Sequence, residues 1–148
     1  NPGPVAQTYY PQASKQGTIV FEGDAIFGAG TISTSLVALE NGASNRVLHY
    51  FTTGGSFKGF VNATSATLGF IASGAAFKSV VGFSPSSAGT ALNGSAESAI
   101  TPSAFSANPN VLKIGNDANG NAASSMHLRR LRIFNTNLPA STKQSLTR

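Results

Sequence analysis

Hydrophobic and polar residues alternate over short segments along most of the chain. Gly, Asn, Ser or Pro bounds each segment. Short strands at a spacing of roughly 8–12 residues, with turn residues between them, are typical of antiparallel sandwiches and barrels. The predicted strands are 17–27, 36–40, 45–53, 57–63, 67–73, 77–84, 89–95, 110–116 and 127–135. We therefore expect an all-β fold, an antiparallel β-sandwich of two sheets.

The pattern changes at the two ends of the chain. Residues 138–147 form the one helix candidate, in which Pro139 suits the first turn and Leu138 and Leu146 can pack. Residues 1–16 hold three prolines and no periodicity, which indicates a linker or an N-terminal arm. With 148 residues in all, the expected organisation is an arm over 1–16 and one β-sandwich domain over 17–148.

The composition excludes several classes of protein. Charged residues make up 10% of the chain, well below the roughly 25% of an average domain. The surface should therefore be polar but largely uncharged. The absence of cysteine excludes disulfides and thiolate chemistry. No stretch approaches the ~18 apolar residues of a spanning helix, so we expect no membrane insertion.

The net charge of +5 lies entirely in the last twenty residues, because the preceding 128 hold equal numbers of acidic and basic residues. The unbalanced residues are Arg129, Arg130, Arg132, Lys143 and Arg148. Nucleic-acid binders usually spread basic residues over a face and interleave stacking aromatics, whereas Phe134 alone accompanies these arginines in sequence. We therefore expect no nucleic-acid partner.

A series of motifs in the C-terminal half carries a family resemblance. "FKSVVGFSPSSAGTALNGS" is followed by "VLKIGNDANG" and then by "MHLRRLRIFNTNLPASTKQSLT". This order resembles the concanavalin A-like (laminin-G-like) jelly-roll domains, in particular those that end bacteriophage tail fibres and tailspikes. Lys78 and the Asn93-Gly94 pair match the family pattern, while Phe134 stands where tyrosine is usual and Pro139 where serine is common. The resemblance covers residues 17–147.

The resemblance implies a function as well as a jelly-roll sandwich. It implies a non-catalytic terminal module of a phage tail fibre or tailspike that binds host surface polysaccharide. It also implies an extracellular location on the virion tail and a homotrimer formed through the parent fibre. The alternative is a structural module that caps or trimerises the fibre and binds no sugar. Large apolar residues outside the core would favour that alternative, with Phe57, Phe70 and Phe134 as candidates.

The last strand gives the arginines a structural interpretation. Leu128, Leu131 and Ile133 should supply its buried side, and the break in alternation at Arg129–Arg130 predicts a β-bulge. The arginines would then lie outside or at a sheet edge, where long charged side chains hinder edge-to-edge pairing. An anionic sugar or a neighbouring subunit is the alternative role for them.

Catalysis is not expected. Related sandwiches host glucanases with an E-x-D-x-x-E strand, in which two carboxylates perform the displacement. Glu22 and Asp24 share one face of the first strand, but Phe27 occupies the third acidic position. We interpret the pair as a solvated strand face and predict that the chain is not an enzyme.

Metal binding has little support. Asp117, Asn119 and Asn121 alternate as in an oxygen-rich calcium loop, and laminin-G-like domains often hold calcium. One carboxylate gives little charge to a cation that takes 6–8 oxygens, and a Gly/Asn turn explains the same residues. We expect no cofactor, with calcium as the open alternative. His49 and His127 lack flanking ligands and are expected to be surface or strand residues.

Recognition is the remaining chemistry. Asn, Asp and Arg give directional hydrogen bonds to sugar hydroxyls, and an aromatic ring can cover the apolar side of a sugar. One loop–strand segment offers Asn41, Asn45, Arg46, His49 and Tyr50, and a second segment offers Asn116, Asp117, Asn119 and Asn121. Each asparagine also suits a turn, and the chain has no tryptophan, the usual stacking platform. We take Asn41, Asn45, Arg46, Tyr50 and the second segment as candidate ligand-binding residues.

Overall fold

The computed structural model describes residues 15–26, 34–42, 44–52, 55–115 and 125–148, which form ten strands and one helix. The strands are β1 (Gly17–Ile26), β2 (Thr34–Glu40), β3 (Arg46–Phe51), β4 (Ser56–Val61), β5 (Thr64–Phe70), β6 (Ala76–Phe83), β7 (Ala88–Leu92), β8 (Ser98–Ile100), β9 (Val111–Ile114) and β10 (Ser125–Phe134). The helix is α1 (Ala140–Leu146).

The strands build two five-stranded antiparallel sheets. Sheet A has the order β10-β1-β6-β7-β8, and sheet B has the order β5-β4-β3-β2-β9. Buried residues from both sheets form one core cluster between them. The predicted antiparallel β-sandwich and the short C-terminal helix are therefore confirmed. The three-residue strand β8 was not predicted, because three residues are too few to display an alternating pattern.

Phenylalanine rings fill the middle of the core. The ring centroid of Phe77 lies 5.2 Å from that of Phe21, 5.5 Å from that of Phe51 and 5.6 Å from that of Phe57. All four side chains are buried, and burial of each contributes roughly 1.5–3 kcal/mol. Phe57 is thus a core residue, so it offers no apolar surface for fibre assembly.

A polar pair interrupts this apolar core. His49 of β3 is fully buried, and its Nδ1 lies 2.7 Å from the Oγ of Ser79 on β6. Burial lowers the pKa of His49 to about 3, because the charged imidazole loses its hydration between the sheets. His49 is therefore a neutral strand residue of the core at pH 7, and its predicted alternative place at the surface is wrong.

The sheets approach closely beside this pair. Gly59 of β4 faces His49 in register, and a Cβ at Gly59 would lie 2.6 Å from the Oγ1 of Thr90 on β7. A side chain at this position would force the sheets apart. Glycine is thus required here by the distance between the sheets and not by a turn.

Helix α1 covers part of the outer face of sheet A. Leu146 and Phe134 pack there on a second apolar cluster, formed by Val20, Val80 and Ala91. The predicted packing of Leu146 is confirmed. Because Phe134 lies in this cluster, it does not form an apolar surface outside the fold.

A buried ion pair anchors the same helix. Lys143 is 2% exposed, pairs with Glu97 and donates a hydrogen bond of 3.1 Å to Asn137 Oδ1. A Cβ at Gly82 would meet Lys143 and Asn137, and a Cβ at Gly89 would meet Glu97. The two glycines therefore leave the space that the ion pair occupies.

The final strand β10 is an edge strand of sheet A and contains the predicted bulge. Glu22 pairs with Arg130 and the next residue, Gly23, pairs with Leu128, so Arg129 is the extra residue. Leu131 packs against the core as predicted. Leu128 is 38% exposed, so its predicted burial is wrong. It lies at an open sheet edge, directly before the bulge, where a strand bends away from its neighbour.

The neutral state of His49 predicts that acid destabilises the fold. Below pH 6.5 the unfolded chain binds a proton at this residue, whereas the folded chain does so only near pH 3. Between these values the residue should remove stability at up to about 1.4 kcal/mol per pH unit as the pH falls. His49→Gln should remove this contribution. Denaturant unfolding of both proteins at pH 7 and pH 4 measures it, and identical pH dependence in the two would contradict the assignment.

The Lys143–Glu97 pair predicts a non-additive pair of mutations. Lys143→Met should destabilise the protein by about 3 kcal/mol, because it leaves a largely buried carboxylate without its partner. The double variant Lys143→Met/Glu97→Gln should recover much of that loss, since no charge then remains unpaired. A double-mutant cycle by urea unfolding measures the coupling. Additive effects of the two substitutions would show that the pair contributes no coupling.

Candidate functional site

One open face of the sandwich carries aromatic and cationic side chains together. Arg46, Leu48 and Tyr50 alternate with Val47, His49 and Phe51, which face the core, and therefore lie on the outer face of β3; Arg46 and Tyr50 are partly exposed there. Phe60 of β4 lies opposite Leu48, and Lys58 lies opposite Tyr50. We call Arg46, Tyr50, Lys58 and Phe60 the aromatic patch of sheet B.

Phe60 is the centre of the aromatic patch. The guanidinium carbon of Arg46 lies 5.3 Å from the Phe60 ring centroid, a cation–π distance. Tyr50 approaches the same ring edge-on, with centroids 6.4 Å apart and planes 77° apart. Both rings are partly exposed. The neighbours thus hold the rings in place while part of each ring can contact a ligand.

The part of this face next to the patch is closely packed. Ala38 and Leu48 pair across β2 and β3 and are 0% and 4% exposed. Glu40 is 2% exposed, and its Oε1 lies 2.5 Å from the Nζ of Lys113 on β9. Because a buried carboxylate needs such a partner, the pair fixes β2 against β9 beside the patch.

The structure separates the four predicted residues of the first segment. Arg46 and Tyr50 lie in the aromatic patch, and Asn41 is exposed in the turn after β2. Asn45 is 6% exposed. Its Oδ1 accepts hydrogen bonds from Ala107 N–H at 3.0 Å and from the Ser106 hydroxyl at 3.1 Å. The fold thus uses the Asn45 amide to hold the 106–107 segment, and ligand binding by Asn45 and Asn41 stays a prediction.

The second predicted segment lies outside the described residues. Its members are Asn116, Asp117, Asn119 and Asn121. Their assignment to ligand binding, and to calcium as the alternative, stays a prediction. Within the described part of the chain, no three His, Asp or Glu side chains gather closely enough to hold a metal ion.

Sequence reasoning missed two members of the aromatic patch. Phe60 and Lys58 became candidates only through the register of β4 against β3, which a single strand pattern does not contain. His49 belongs to the same predicted segment but was not taken as a ligand-binding residue, and the structure buries it in the core. Side chains an odd number of positions apart in a strand point to opposite faces of the sheet. His49 lies one position from Tyr50 and three from Arg46, so alternation alone would have placed it on the face opposite to both.

The opposite outer face, on sheet A, holds the two acids considered for catalysis. The prediction of a solvated pair is wrong for Asp24, which is 8% exposed. Asp24 Oδ1 lies 3.0 Å from His127 Nδ1, and its Oδ2 lies 3.5 Å from an amino nitrogen of Arg129. Glu22 is partly exposed and faces a cleft of about 290 Å³. The two acids therefore have different environments.

The sequence matches no family model and no curated protein, but solved structures share its fold. The carbohydrate-binding module CBM40 of a Ruminococcus gnavus sialidase, bound to α2,3-sialyllactose, is 15% identical with a TM-score of 0.72. The match covers 91% of this chain and 83% of that one. A pentraxin of Limulus polyphemus is 14% identical with a TM-score of 0.66, over 91% of this chain and 70% of that one.

A much larger protein contains the same fold as a part. The leech intramolecular trans-sialidase matches at 14% identity and a TM-score of 0.64, over 89% of this chain and 23% of that one. These neighbours agree with the jelly-roll sandwich implied by the family resemblance. At such low identity they establish the fold and not the function. The described helix, α1, is too short to cross a membrane.

Proposed function

We propose that the chain is a non-catalytic carbohydrate-binding module at the end of a phage tail fibre or tailspike, where it binds host surface polysaccharide. The aromatic patch is the observation that carries this proposal. Its Tyr50 and Phe60 rings are partly exposed on the outer face of strands β3 and β4, and Arg46 and Lys58 lie beside them. Strands position the residues of a binding site more precisely than loops do.

The chemistry of the patch suits a sugar ring. The apolar side of a sugar can lie on the Phe60 ring, while its hydroxyls accept hydrogen bonds from Arg46 and Lys58. The Tyr50 hydroxyl can both donate and accept. Aromatic residues of this kind provide contact area with a small loss of conformational freedom on binding. The patch thus supplies both the stacking surface and the directional bonds that recognition needs.

Two further observations support a sugar ligand and this context. The R. gnavus module, which has the same fold, is described in complex with sialyllactose. The motif order of the C-terminal half resembles phage fibre tips, which is the basis for proposing a virion tail location and a homotrimer through the parent fibre. The proposed non-catalytic role agrees with the state of Asp24, whose carboxylate is engaged by His127 and Arg129.

A structural module that caps or trimerises the fibre is the second candidate, and one residue favours it. Phe70 on the edge strand β5 is 67% exposed, whereas the other two phenylalanines considered for this role are packed in the fold. A single exposed ring is a small surface for assembly, because stable interfaces bury a total of about 1,200–2,000 Å². We therefore favour the sugar-binding proposal.

The aromatic patch predicts that polysaccharide binding depends on the Phe60 ring. Phe60→Ala should weaken binding to a host polysaccharide by at least about tenfold, since truncating the central anchor of a binding surface typically costs roughly 2 kcal/mol or more. Arg46→Gln should weaken it as well, and Tyr50→Phe should lose the contribution of the hydroxyl alone. Calorimetric titration with fragments of candidate host polysaccharides measures these changes.

The matched control is Phe70→Ala, which removes an exposed phenyl ring outside the patch. It should leave glycan affinity unchanged. If no host glycan binds and light scattering shows a stable trimer that Phe70→Ala dissociates, the structural candidate is correct instead. Saturable binding that survives Phe60→Ala would place the sugar elsewhere on the molecule.

A further inference from the structure

The cleft beside Glu22 lies on the opposite side of the sandwich from the aromatic patch. It opens on the outer face of sheet A and has a volume of about 290 Å³. The polar side chains that line it are those of Glu22, Lys78, Asn93, Arg129, Thr147 and Arg148. We call it the basic cleft.

Strand register builds the floor of the basic cleft. Glu22 of β1 pairs with Arg130 of β10 on one side and with Lys78 of β6 on the other. These three side chains therefore form a row across the sheet. Asn93 continues the row, because its Oδ1 accepts a hydrogen bond of 2.8 Å from the backbone N–H of Lys78. Its amide NH₂ remains available to donate.

The bulge adds Arg129 to this row. As the extra residue of β10, Arg129 turns its side chain onto the outer face, where one amino nitrogen lies 3.5 Å from Asp24 Oδ2. Bulges commonly redirect a side chain in this way beside functional sites. Asp24 is largely buried, whereas the Arg129 side chain is 59% exposed. Asp24 thus orients a guanidinium that still faces solvent.

The charge of this face is unbalanced. The cationic side chains are Lys78, Arg129, Arg130, Arg132 and Arg148, and the acidic ones are Glu22 and Asp24. Asp24 is already paired with Arg129 and His127. Lys78 Nζ donates a hydrogen bond of 2.6 Å to the main-chain oxygen of Arg148, which holds the ammonium at the cleft and leaves it two further donors. In the described part of the chain no Asp or Glu side chain forms an ion pair with Arg130 or Lys78. The face therefore has excess positive charge around a concave site, which attracts anions.

We propose that the basic cleft binds an acidic sugar residue of a polysaccharide, with the acidic group at Arg129 and Lys78 and the hydroxyls at Glu22 and Asn93. Glu22 is the residue that selects this ligand class. A carboxylate in the cleft repels a simple anion, but it accepts hydrogen bonds from the hydroxyls of a sugar. An acidic sugar carries both groups, so it uses the arginine and the glutamate together.

Nucleic acid fits the cleft less well. Phe77 is the aromatic residue among those that line it, and this ring is 2% exposed and packed in the core. The described lining thus provides no ring on which a base could stack, which single-stranded nucleic acids usually require. Glu22 would in addition repel a phosphate backbone.

This inference rests on the proposed function in one respect, the choice of a glycan as ligand. Its residues are separate from those of the aromatic patch, so an experiment can disprove binding at one site without disproving binding at the other. Phe60→Ala should leave binding in the basic cleft intact, and loss of the basic cleft should leave the patch able to bind neutral glycans.

The test uses the 148-residue chain and four probes: an oligogalacturonate, its neutral galactose counterpart, inorganic sulfate and a single-stranded oligonucleotide. Calorimetry should show that the oligogalacturonate binds more tightly than the other three. Arg129→Gln and Lys78→Gln should each weaken this binding by at least about tenfold. Added salt should weaken it as well. Lys15→Gln, which removes one positive charge outside the cleft, should leave it unchanged.

Glu22→Gln separates an acidic-sugar site from a simple anion site. It should weaken oligogalacturonate binding, because the charged acceptor of the sugar hydroxyls becomes a neutral amide oxygen that accepts weaker hydrogen bonds. Sulfate binding should strengthen, because a negative charge disappears. Stronger binding of both probes would overturn the sugar assignment. Equal losses in Lys15→Gln and Arg129→Gln, or tighter binding of the oligonucleotide, would overturn the proposal as a whole.

Discussion

The pairing of β1 with β10 is the interaction on which the rest of the structure depends. It joins Thr18 to Phe134 and Ile26 to Ser125, residues about a hundred positions apart in sequence. β1 also pairs with β6, so the first strand lies inside sheet A and is closed on one side by the last strand. Such a long loop closure costs entropy before any contact forms, and the buried rings of the core offset this cost.

The same pairing determines what each face of the molecule can do. Inward residues of β1 such as Phe21 enter the core, and the alternate residues Glu22 and Asp24 are thereby placed on the outer face beside the arginines of β10. One bulge residue, Arg129, then joins them. The chemistry of sheet A is thus a consequence of register, and the aromatic patch of sheet B follows in the same way from the register of β3 and β4.

The sequence was sufficient to predict the local elements and insufficient to predict their register. Alternation located nine strands, and the doubled arginine located the bulge, because both signals are local. The errors arose from contacts between distant residues. The polar side chain of His49 suggested a place at the surface, but its hydrogen-bond contact with Ser79 on the other sheet allows it to lie in the core. The sequence suggested that the Asn45 amide is available to a ligand, but its oxygen accepts a hydrogen bond from the 106–107 segment. Phe60 gained its significance only when Arg46 and Tyr50 were placed beside it.

The concentration of charge in the last twenty residues can now be interpreted. One of the five cations, Lys143, is neutralised by Glu97 and holds helix α1 to the sheet. Another, Arg129, is oriented by Asp24. Had the arginines served edge protection alone, any long charged side chain on β10 would have been adequate, and a buried acid to orient one of them would have been unnecessary. The buried carboxylate of Asp24 costs desolvation energy, and its partners are His127 at 3.0 Å and Arg129 at 3.5 Å. This arrangement holds the two side chains on the outer face of sheet A and agrees with the role proposed for Arg129 in the basic cleft.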